Sequence, residues 1–156
     1  MISVCLVDDQ TLVRQGIRSL LELSPEIQVV AECQDGVSAL EVIPKARPDV
    51  VLLDMRMPGK SGLDVLNAFA AQGKVPPTII LTTFDDDQLV LAGLKAGARG
   101  YLLKDVSLEQ LVDAVKTVAG GGSLIAPVVT QRLLAGVGRI HNQFTSLGQP
   151  DPLTDR

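Results

Sequence analysis

Five short runs of apolar and β-branched residues alternate along this chain with five segments in which apolar residues recur every three or four positions. Runs of this kind predict buried strands, and the recurrence predicts amphipathic helices. Alternation of the two predicts a parallel sheet, because the chain must cross over between neighbouring parallel strands. We therefore expect an α/β fold, a doubly wound five-stranded parallel sheet with helices on both faces. The predicted strands cover residues 2–7, 28–33, 50–53, 78–82 and 100–103.

The fifth predicted helix has the clearest boundaries. Ser107 is its predicted N-cap, and Gln110 follows three residues later as the partner in a capping box. Three glycines at residues 120–122 end this helix, so we place one domain over residues 1–120. The apolar positions of the first four helices are Val13, Ile17, Leu20 and Leu21, then Val37, Leu40 and Ile43, then Leu63, Leu66 and Phe69, then Leu91 and Leu94.

The chain after the glycines is expected to hold one more helix and a linker. Pro127 can begin a helix, because proline is favoured at the first helical position. One face of that helix would carry Val129, Leu133, Val137 and Ile140. From His141 onward the sequence is polar and contains two prolines, which predicts a flexible linker. Residues 121–156 are therefore predicted to be an extra helix and an interdomain linker.

Composition restricts the compartment and the partners. Hydrophobic residues are 46% of the chain and aromatic residues only 3%, so the core must consist of aliphatic side chains. The formal net charge of -4 provides no broad positive field, so this segment is not expected to bind DNA by itself. Cys5 and Cys33 lie in apolar runs, which favours buried reduced thiols and a cytoplasmic location. No apolar stretch reaches the roughly 18 residues of a membrane span, and no signal peptide is evident.

Polar residues stand at the ends of four predicted strands. Asp8 and Asp9 follow the first strand, Asp54 follows the third, Thr82 ends the fourth and Lys104 follows the fifth. In open parallel sheets of order 2-1-3-4-5, ligands bind beyond the carboxyl ends of the strands, so we expect these side chains to converge. A single Asp at a strand end is commonly a turn residue or a helix cap, so the prediction depends on the whole group.

Such a group suits Mg2+-assisted phosphoryl transfer. Two unit charges about 4 Å apart repel by roughly 4 kcal/mol at an effective dielectric constant of about 20, so clustered carboxylates need a cation. An all-oxygen site without His or Cys favours Mg2+ over a softer metal. Asp54, at the end of the predicted central strand, is the preferred nucleophile, whereas Asp8 and Asp9 are better placed to bind the cation. Lys104 and Thr82 would offer a charge and a hydroxyl to the phosphoryl oxygens.

Four separated motifs resemble the receiver domains of two-component response regulators, which have a flavodoxin-like (CheY-like) fold. The motifs are LVDDQ, VLLDMRMPGKSGLDVL, ILTTF and AGARGYLLKD, and the resemblance covers about residues 2–119. It implies that a sensor histidine kinase transfers a phosphoryl group to Asp54, and that Thr82 and Lys104 hold the phosphoryl oxygens. The Mg2+ ligands that it implies are Asp9, Asp54 and the backbone carbonyl of Arg56, with Asp8 assisting directly or through water.

The resemblance also implies a conformational switch formed by Thr82 and Tyr101. A hydroxyl drawn toward the phosphoryl oxygens leaves space that the aromatic ring can fill, which changes the surface around the fourth helix and fifth strand. Many receivers have a proline, reached by a cis bond, after the lysine of the site. Asp105 occupies that position here, where a cis bond would cost roughly 3–4 kcal/mol, so none is assumed. We place Gly59 and Gly62 in the loop after the acceptor, with a positive φ at Gly59.

The residues LTDR, which follow the polar linker, resemble the start of the DNA-binding domain in regulators of the NarL/FixJ subfamily, which have a LuxR-type helix-turn-helix. We therefore expect a transcription factor that reaches DNA only through a domain beyond Arg156 and forms a homodimer when phosphorylated. One alternative is a Mg2+-dependent phosphohydrolase that acts through an aspartyl phosphate, but Arg56 stands where its usual motif has a second Asp. The other is an interaction module that is never phosphorylated, which would be expected to lack an acid or the lysine. We expect no enzyme activity beyond self-phosphorylation and loss of the phosphoryl group.

Overall fold

The computed structural model describes residues 1–83 and 87–123, and this part of the chain forms a five-stranded α/β sandwich. All strand pairs are parallel, and the sheet order is β2-β1-β3-β4-β5. The predicted fold class and strand order are confirmed. In chain order the elements are β1 (Ile2–Val7), α1 (Thr11–Glu22), β2 (Ile27–Cys33), α2 (Gly36–Ala46), β3 (Val50–Asp54), α3 (Gly62–Ala71), β4 (Thr78–Thr82), α4 (Asp87–Lys95), β5 (Gly100–Leu103) and α5 (Leu108–Ala119).

The core consists of two layers, one on each face of the sheet. On β1, Val4 and Leu6 belong to the layer covered by α1 and α5, whereas Cys5 and Val7 belong to the layer covered by α2, α3 and α4. This alternation follows from the two-residue repeat of a strand. Burial of an aliphatic side chain contributes roughly 1.5–3 kcal/mol, so both faces hold the central strands in place. The two cysteines are buried free thiols, as predicted.

Capped helix starts fix where the chain turns back from the sheet edge. The predicted capping box is confirmed, since Ser107 accepts a hydrogen bond from the Gln110 amide and the Gln110 side chain accepts one from the Ser107 amide. An equivalent box joins Ser61 and Asp64 at the start of α3. Such caps satisfy amides that the helix itself leaves free and stabilise the helix by about 1 kcal/mol. The Ser61–Asp64 capping box thereby fixes the start of α3 next to the end of β3.

Several local details differ from the expectations. Gly62 lies in the first turn of α3 and not in the loop, because its lack of a side chain lets the helix start against the Asp54 carbonyl. Val37 is 57% exposed, because the buried face of α2 runs through Gly36, Ala39 and Ile43 and Val37 lies to one side of it. By contrast, Gly59 has the predicted positive φ of 76°, and the described residues contain no cis peptide bond.

The extra helix and linker predicted within residues 121–156 lie outside the described part, apart from residues 121–123. None of the described helices is long and apolar enough to span a membrane.

Candidate functional site

Three carboxylates lie together at the carboxyl edge of the sheet. Asp54 is the last residue of β3, and Asp8 and Asp9 directly follow β1. Because β1 and β3 are neighbours, with Val7 paired to Leu53, the acids that follow these positions must lie side by side. One carboxylate oxygen from each of the three aspartates lies within 4.8 Å of the others. The convergence expected from strand order is therefore present.

Burial makes this cluster electrostatically unfavourable. Asp8 is fully buried and Asp54 is 3% exposed, whereas Asp9 is half-buried. Burial, and to a smaller extent the charge of Asp8, raises the pKa of Asp54 to about 6, although the nearby Lys104 ammonium acts in the opposite direction. A carboxylic acid normally titrates near pH 4, so ionised Asp54 is held at a cost in free energy.

Only half of the buried carboxylate oxygens are hydrogen-bonded. Asp8 Oδ1 accepts a hydrogen bond from the Gln10 amide at 2.8 Å, and Asp54 Oδ1 accepts one from the Arg56 amide at 3.2 Å. Among the described residues, neither Oδ2 atom accepts a hydrogen bond. Buried polar atoms without hydrogen bonds are costly and uncommon, so these two oxygens depend on the charge of a nearby cation.

Lys104 supplies the fixed positive charge of the site. Its Nζ atom lies 3.2 Å from Asp54 Oδ2 and 3.4 Å from Asp8 Oδ2. Its backbone amide donates to the Thr82 carbonyl, which continues the β4–β5 ladder and brings the lysine to the sheet edge. One ammonium ion cannot neutralise three carboxylates, so the cluster retains a net negative charge.

The remaining predicted site residues border the cluster. Thr82 is 3% exposed at the end of β4, and its hydroxyl donates to the Thr83 carbonyl at 3.1 Å. Tyr101 is half-buried on β5, where it packs against the core layer of α2, α3 and α4. The Arg56 side chain is exposed, and the backbone amide is the part of this residue that bonds to Asp54.

Two residues of the site were not predicted from the sequence. Gln10 Oε1 lies 3.2 Å from Lys104 Nζ and accepts its hydrogen bond, and Arg14 Nη1 donates to the Asp8 backbone carbonyl at 2.7 Å. The position of Gln10 directly after the acid pair was the available signal. Arg14 lies one helical turn further on, but its orientation depends on a residue of β2, which no local pattern reveals.

The donor set fits a hard divalent cation. Within the described part of the chain, the clustered ligand atoms are all carboxylate oxygens, no cysteine or histidine contributes, and the Lys104 ammonium faces a cluster of three carboxylates. Oxygen donors of this type are those that Mg2+ and Ca2+ prefer, and Mg2+ commonly binds through a few carboxylates with water completing the shell. The side chains that could hold the ion are those of Asp8, Asp9 and Asp54.

The chain is similar in sequence to named response regulators and transcriptional regulatory proteins. The nitrate/nitrite response regulator protein NarP of Escherichia coli is 46% identical over 130 residues, which are 83% of this chain and 60% of NarP. The transcriptional regulatory protein UhpA of Escherichia coli is 40% identical over 156 residues, which are 100% of this chain and 72% of UhpA. The chain spans about 60% of the length of NarP and of the DegU protein of Brevibacillus brevis.

Solved structures show the same architecture. The response regulator ChrA of a heme-sensing two-component system superposes with a TM-score of 0.73 at 43% identity, over 87% of this chain and 65% of ChrA. The signal receiver domain of the putative response regulator NarL from Mycobacterium tuberculosis superposes with a TM-score of 0.72 at 38% identity, over 77% of this chain and 97% of that domain. A family model described as the response regulator receiver domain matches residues 4–116. On this evidence the chain belongs to the response regulator receiver domain family.

Proposed function

We propose that this receiver domain accepts a phosphoryl group on Asp54 from a sensor histidine kinase, with Mg2+ bound beside it. The observation that supports this most directly is the position of the Asp54 carboxylate, which lies between a carboxylate cluster and the Lys104 ammonium, 3.2 Å from its Oδ2. Asp54 ends the central strand β3, with β1 on one side and β4 on the other. The acids after β1 and the Thr82 hydroxyl at the end of β4 therefore flank Asp54, whereas Asp8, which follows β1 between β2 and β3, is one strand further from Thr82.

The three aspartates would have different roles, which follow from their positions at the ends of β1 and β3. Asp8, Asp9, Asp54 and the Arg56 carbonyl would hold Mg2+, which supplies positive charge that offsets the charge of the transferred group. Asp54 Oδ2, buried and beside the Lys104 ammonium, is the oxygen that would form the new P–O bond as the P–N bond of the kinase phosphohistidine breaks and the imidazole leaves. Its partner Oδ1 is held by the Arg56 amide, which fixes the direction of the carboxylate. Pre-oriented groups of this kind are the main source of rate in phosphoryl transfer.

Lys104 and Thr82 would hold the oxygens of the phosphoryl group. The Lys104 ammonium already points at Asp54 and can keep one contact while it forms another, because it carries three N–H donors. The Thr82 hydroxyl now donates to the Thr83 carbonyl and would have to rotate toward the new oxygens. That rotation is inexpensive relative to a charge-assisted hydrogen bond to a phosphoryl oxygen.

Tyr101 would couple the rotation of the Thr82 hydroxyl to a change in the surface formed by α4 and β5. On β4, Ile80 belongs to the same core layer that Tyr101 contacts, and Thr82 lies two residues later on the same side of the strand. Thr82 and Tyr101 therefore share one side of the sheet, toward α4. A hydroxyl drawn away from that side would let the ring move inward and alter the α4–β5 surface.

The setting of this chemistry is a two-component system in the cytoplasm, where the domain would control transcription in the full-length regulator. NarP and UhpA are named as a response regulator and a transcriptional regulatory protein. With a formal net charge of -4, this segment is a poor ligand for DNA, so DNA contact would come from a domain beyond Arg156. The domain would act as a phosphoacceptor that resets by losing its phosphoryl group, without steady turnover of a substrate.

Phosphorylation can be tested on the isolated chain with acetyl phosphate and Mg2+, with the intact mass as readout. We expect the wild-type protein to gain the mass of one phosphoryl group and Asp54→Asn to gain none. The matched control is Asp113→Asn, which removes an exposed carboxylate of α5 and should leave the mass gain unchanged. An unmodified wild type, or a mass gain in Asp54→Asn equal to that of wild type, would refute the proposal. Steady release of phosphate from a small phosphomonoester would instead indicate a phosphohydrolase.

A further inference from the structure

Asp8 and Asp9, which follow β1, form an acidic turn. Arg14 joins this acidic turn to β2, an edge strand of the sheet. Its Nη1 atom donates to the Asp8 backbone carbonyl at 2.7 Å, and its Nε atom donates to Glu32 Oε1 at 3.2 Å. The side chain is only 13% exposed, so the guanidinium is shielded from competing water. Because the guanidinium is planar, the contact with Glu32 fixes the plane in which the group meets the Asp8 carbonyl.

The bonded carbonyl belongs to the peptide group that links Asp8 to Asp9. A peptide group is planar, so fixing the direction of the Asp8 carbonyl also fixes the Asp9 amide and the direction in which the chain leaves toward Asp9. The other side of Asp8 is held as well, because its amide donates to the Cys33 carbonyl at 3.1 Å. The two adjacent acids therefore have a backbone that is restrained at both ends of Asp8.

We propose that Arg14, held in place by Glu32, is a positioning residue that sets the affinity of the acidic cluster for Mg2+. This inference rests on the Mg2+ site of the proposed function and adds residues that do not touch the ion. Mg2+ requires near-ideal octahedral geometry with short metal–oxygen distances, so a small rotation of the Asp8–Asp9 peptide misplaces its ligands. Residues that orient metal ligands from outside typically change the affinity 10- to 100-fold when they are replaced.

The sign of the effect separates positioning from simple charge. Arg14 is a cation beside a cluster that binds a cation, so removal of its charge alone would tighten Mg2+ binding. Loss of positioning would weaken it. Arg14→Lys keeps the charge and removes the planar fork, so it isolates the positioning contribution.

Arg18 offers a matched control. It also pairs with Glu32, through Oε2, and with Glu22 at 3.2 Å, and its side chain is 42% exposed. Among the described residues, its hydrogen bonds and ion pairs are with these two glutamates and none is with Asp8 or Asp9. Arg18→Gln therefore removes a neighbouring cation and leaves the Arg14 contact with Asp8 in place.

The test is calorimetric titration of the 156-residue chain with Mg2+ and with Ca2+ at pH 7.5, together with thermal unfolding of each variant. We expect Arg14→Lys to bind Mg2+ about 10-fold more weakly, with a smaller loss for Ca2+, whose larger and more flexible shell tolerates displaced ligands. Arg18→Gln should bind Mg2+ within about twofold of wild type or more tightly.

Two results would overturn the inference. One is Mg2+ binding by Arg14→Lys within twofold of wild type. The other is an equal loss for Mg2+ and Ca2+ together with a lower melting temperature, which would show general loosening. Failure of the wild type itself to bind Mg2+ would count against the proposed function, and so the two ideas fail in different ways.

Discussion

Asp54 is ionised only at a cost, because burial raises its pKa to about 6 in the folded protein. The corresponding value in an unfolded chain is about 3.9. An acid with a raised folded pKa favours folding below the unfolded pKa, and this contribution is lost as the pH rises through the folded value. At neutral pH in the absence of a divalent cation, the proposed acceptor therefore destabilises the domain that carries it.

Replacement of this acid should stabilise the metal-free protein. We predict that Asp54→Asn raises the free energy of unfolding at pH 7.5 by roughly 1–3 kcal/mol and that the gain shrinks toward zero as the pH falls through 6 to 4. Urea unfolding in EDTA at several pH values measures both quantities. A gain that is independent of pH, or a loss at pH 7.5, would contradict the prediction, and Asp113→Asn should show neither effect.

Lys104 should have the opposite effect on stability. Lys104→Met keeps the aliphatic stem but leaves two buried carboxylates without their cation, so we predict a loss of about 2–4 kcal/mol at pH 7.5 without Mg2+. Added Mg2+ should recover part of this loss. Lys116→Met is the control, because Lys116 pairs with a Glu26 side chain that is 60% exposed and should cost less than about 1 kcal/mol. Equal losses in the two variants would argue against a charge role for Lys104.

At the scale of elements, the start of α3 and the end of β3 are packed backbone to backbone. A Cβ atom added at Gly62 would lie 2.4 Å from the Asp54 carbonyl oxygen and 2.8 Å from Met55 Cα. Main-chain atoms cannot rotate away, so the helix or the strand end must move. The absence of a side chain at Gly62 thus lets a capped helix approach the strand that carries the proposed acceptor.

A pair of glycine substitutions tests this contact. We predict that Gly62→Ala lowers the free energy of unfolding by about 2–4 kcal/mol and reduces phosphorylation of Asp54, because β3 is displaced. Gly16→Ala, in the exposed middle of α1 with nothing within 4 Å of the added Cβ, should instead stabilise the protein by about 0.5–1 kcal/mol. Denaturant unfolding of both variants decides the matter, and stabilisation by Gly62→Ala would show that the close approach is not needed.

The limits of sequence reasoning also appear at this scale. Local periodicity was enough to place all five strands to within one residue at each end, and the Ser107 cap was found from its capping-box partner. Helical spacing grouped Val37 with Leu40 and Ile43, but the buried face of α2 runs through Gly36, Ala39 and Ile43, because the small residues allow the closer packing, and Val37 is exposed. Gly62 was misassigned to a loop because its close approach to the Asp54 carbonyl joins separate elements.

At the scale of the whole molecule, strand order predicted the site better than any single residue did. Given order 2-1-3-4-5, residues that follow β1 and β3 must meet, and the cluster of Asp8, Asp9 and Asp54 confirms this. The contact between Arg14 and Glu32 could not be predicted, because it joins charged residues 18 positions apart and each could equally be solvated. Topology thus determines which elements converge, and the conformations of long side chains remain to be observed.

Phosphorylation at the carboxyl edge of the sheet is expected to change the oligomeric state of the domain. A reader of two-fold DNA half-sites acts as a dimer, so we predict that beryllium fluoride with Mg2+, a mimic of the phosphoryl group, converts the domain from monomer to homodimer. The altered surface would involve α4 and β5, because Tyr101 on β5 shares one side of the sheet with Thr82 at the end of β4. Sedimentation velocity at several protein concentrations should show a faster species that grows with concentration, and Asp54→Asn should remain monomeric under the same conditions. If treated and untreated wild type sediment alike at every concentration, the proposed switch does not act through dimerisation of this domain.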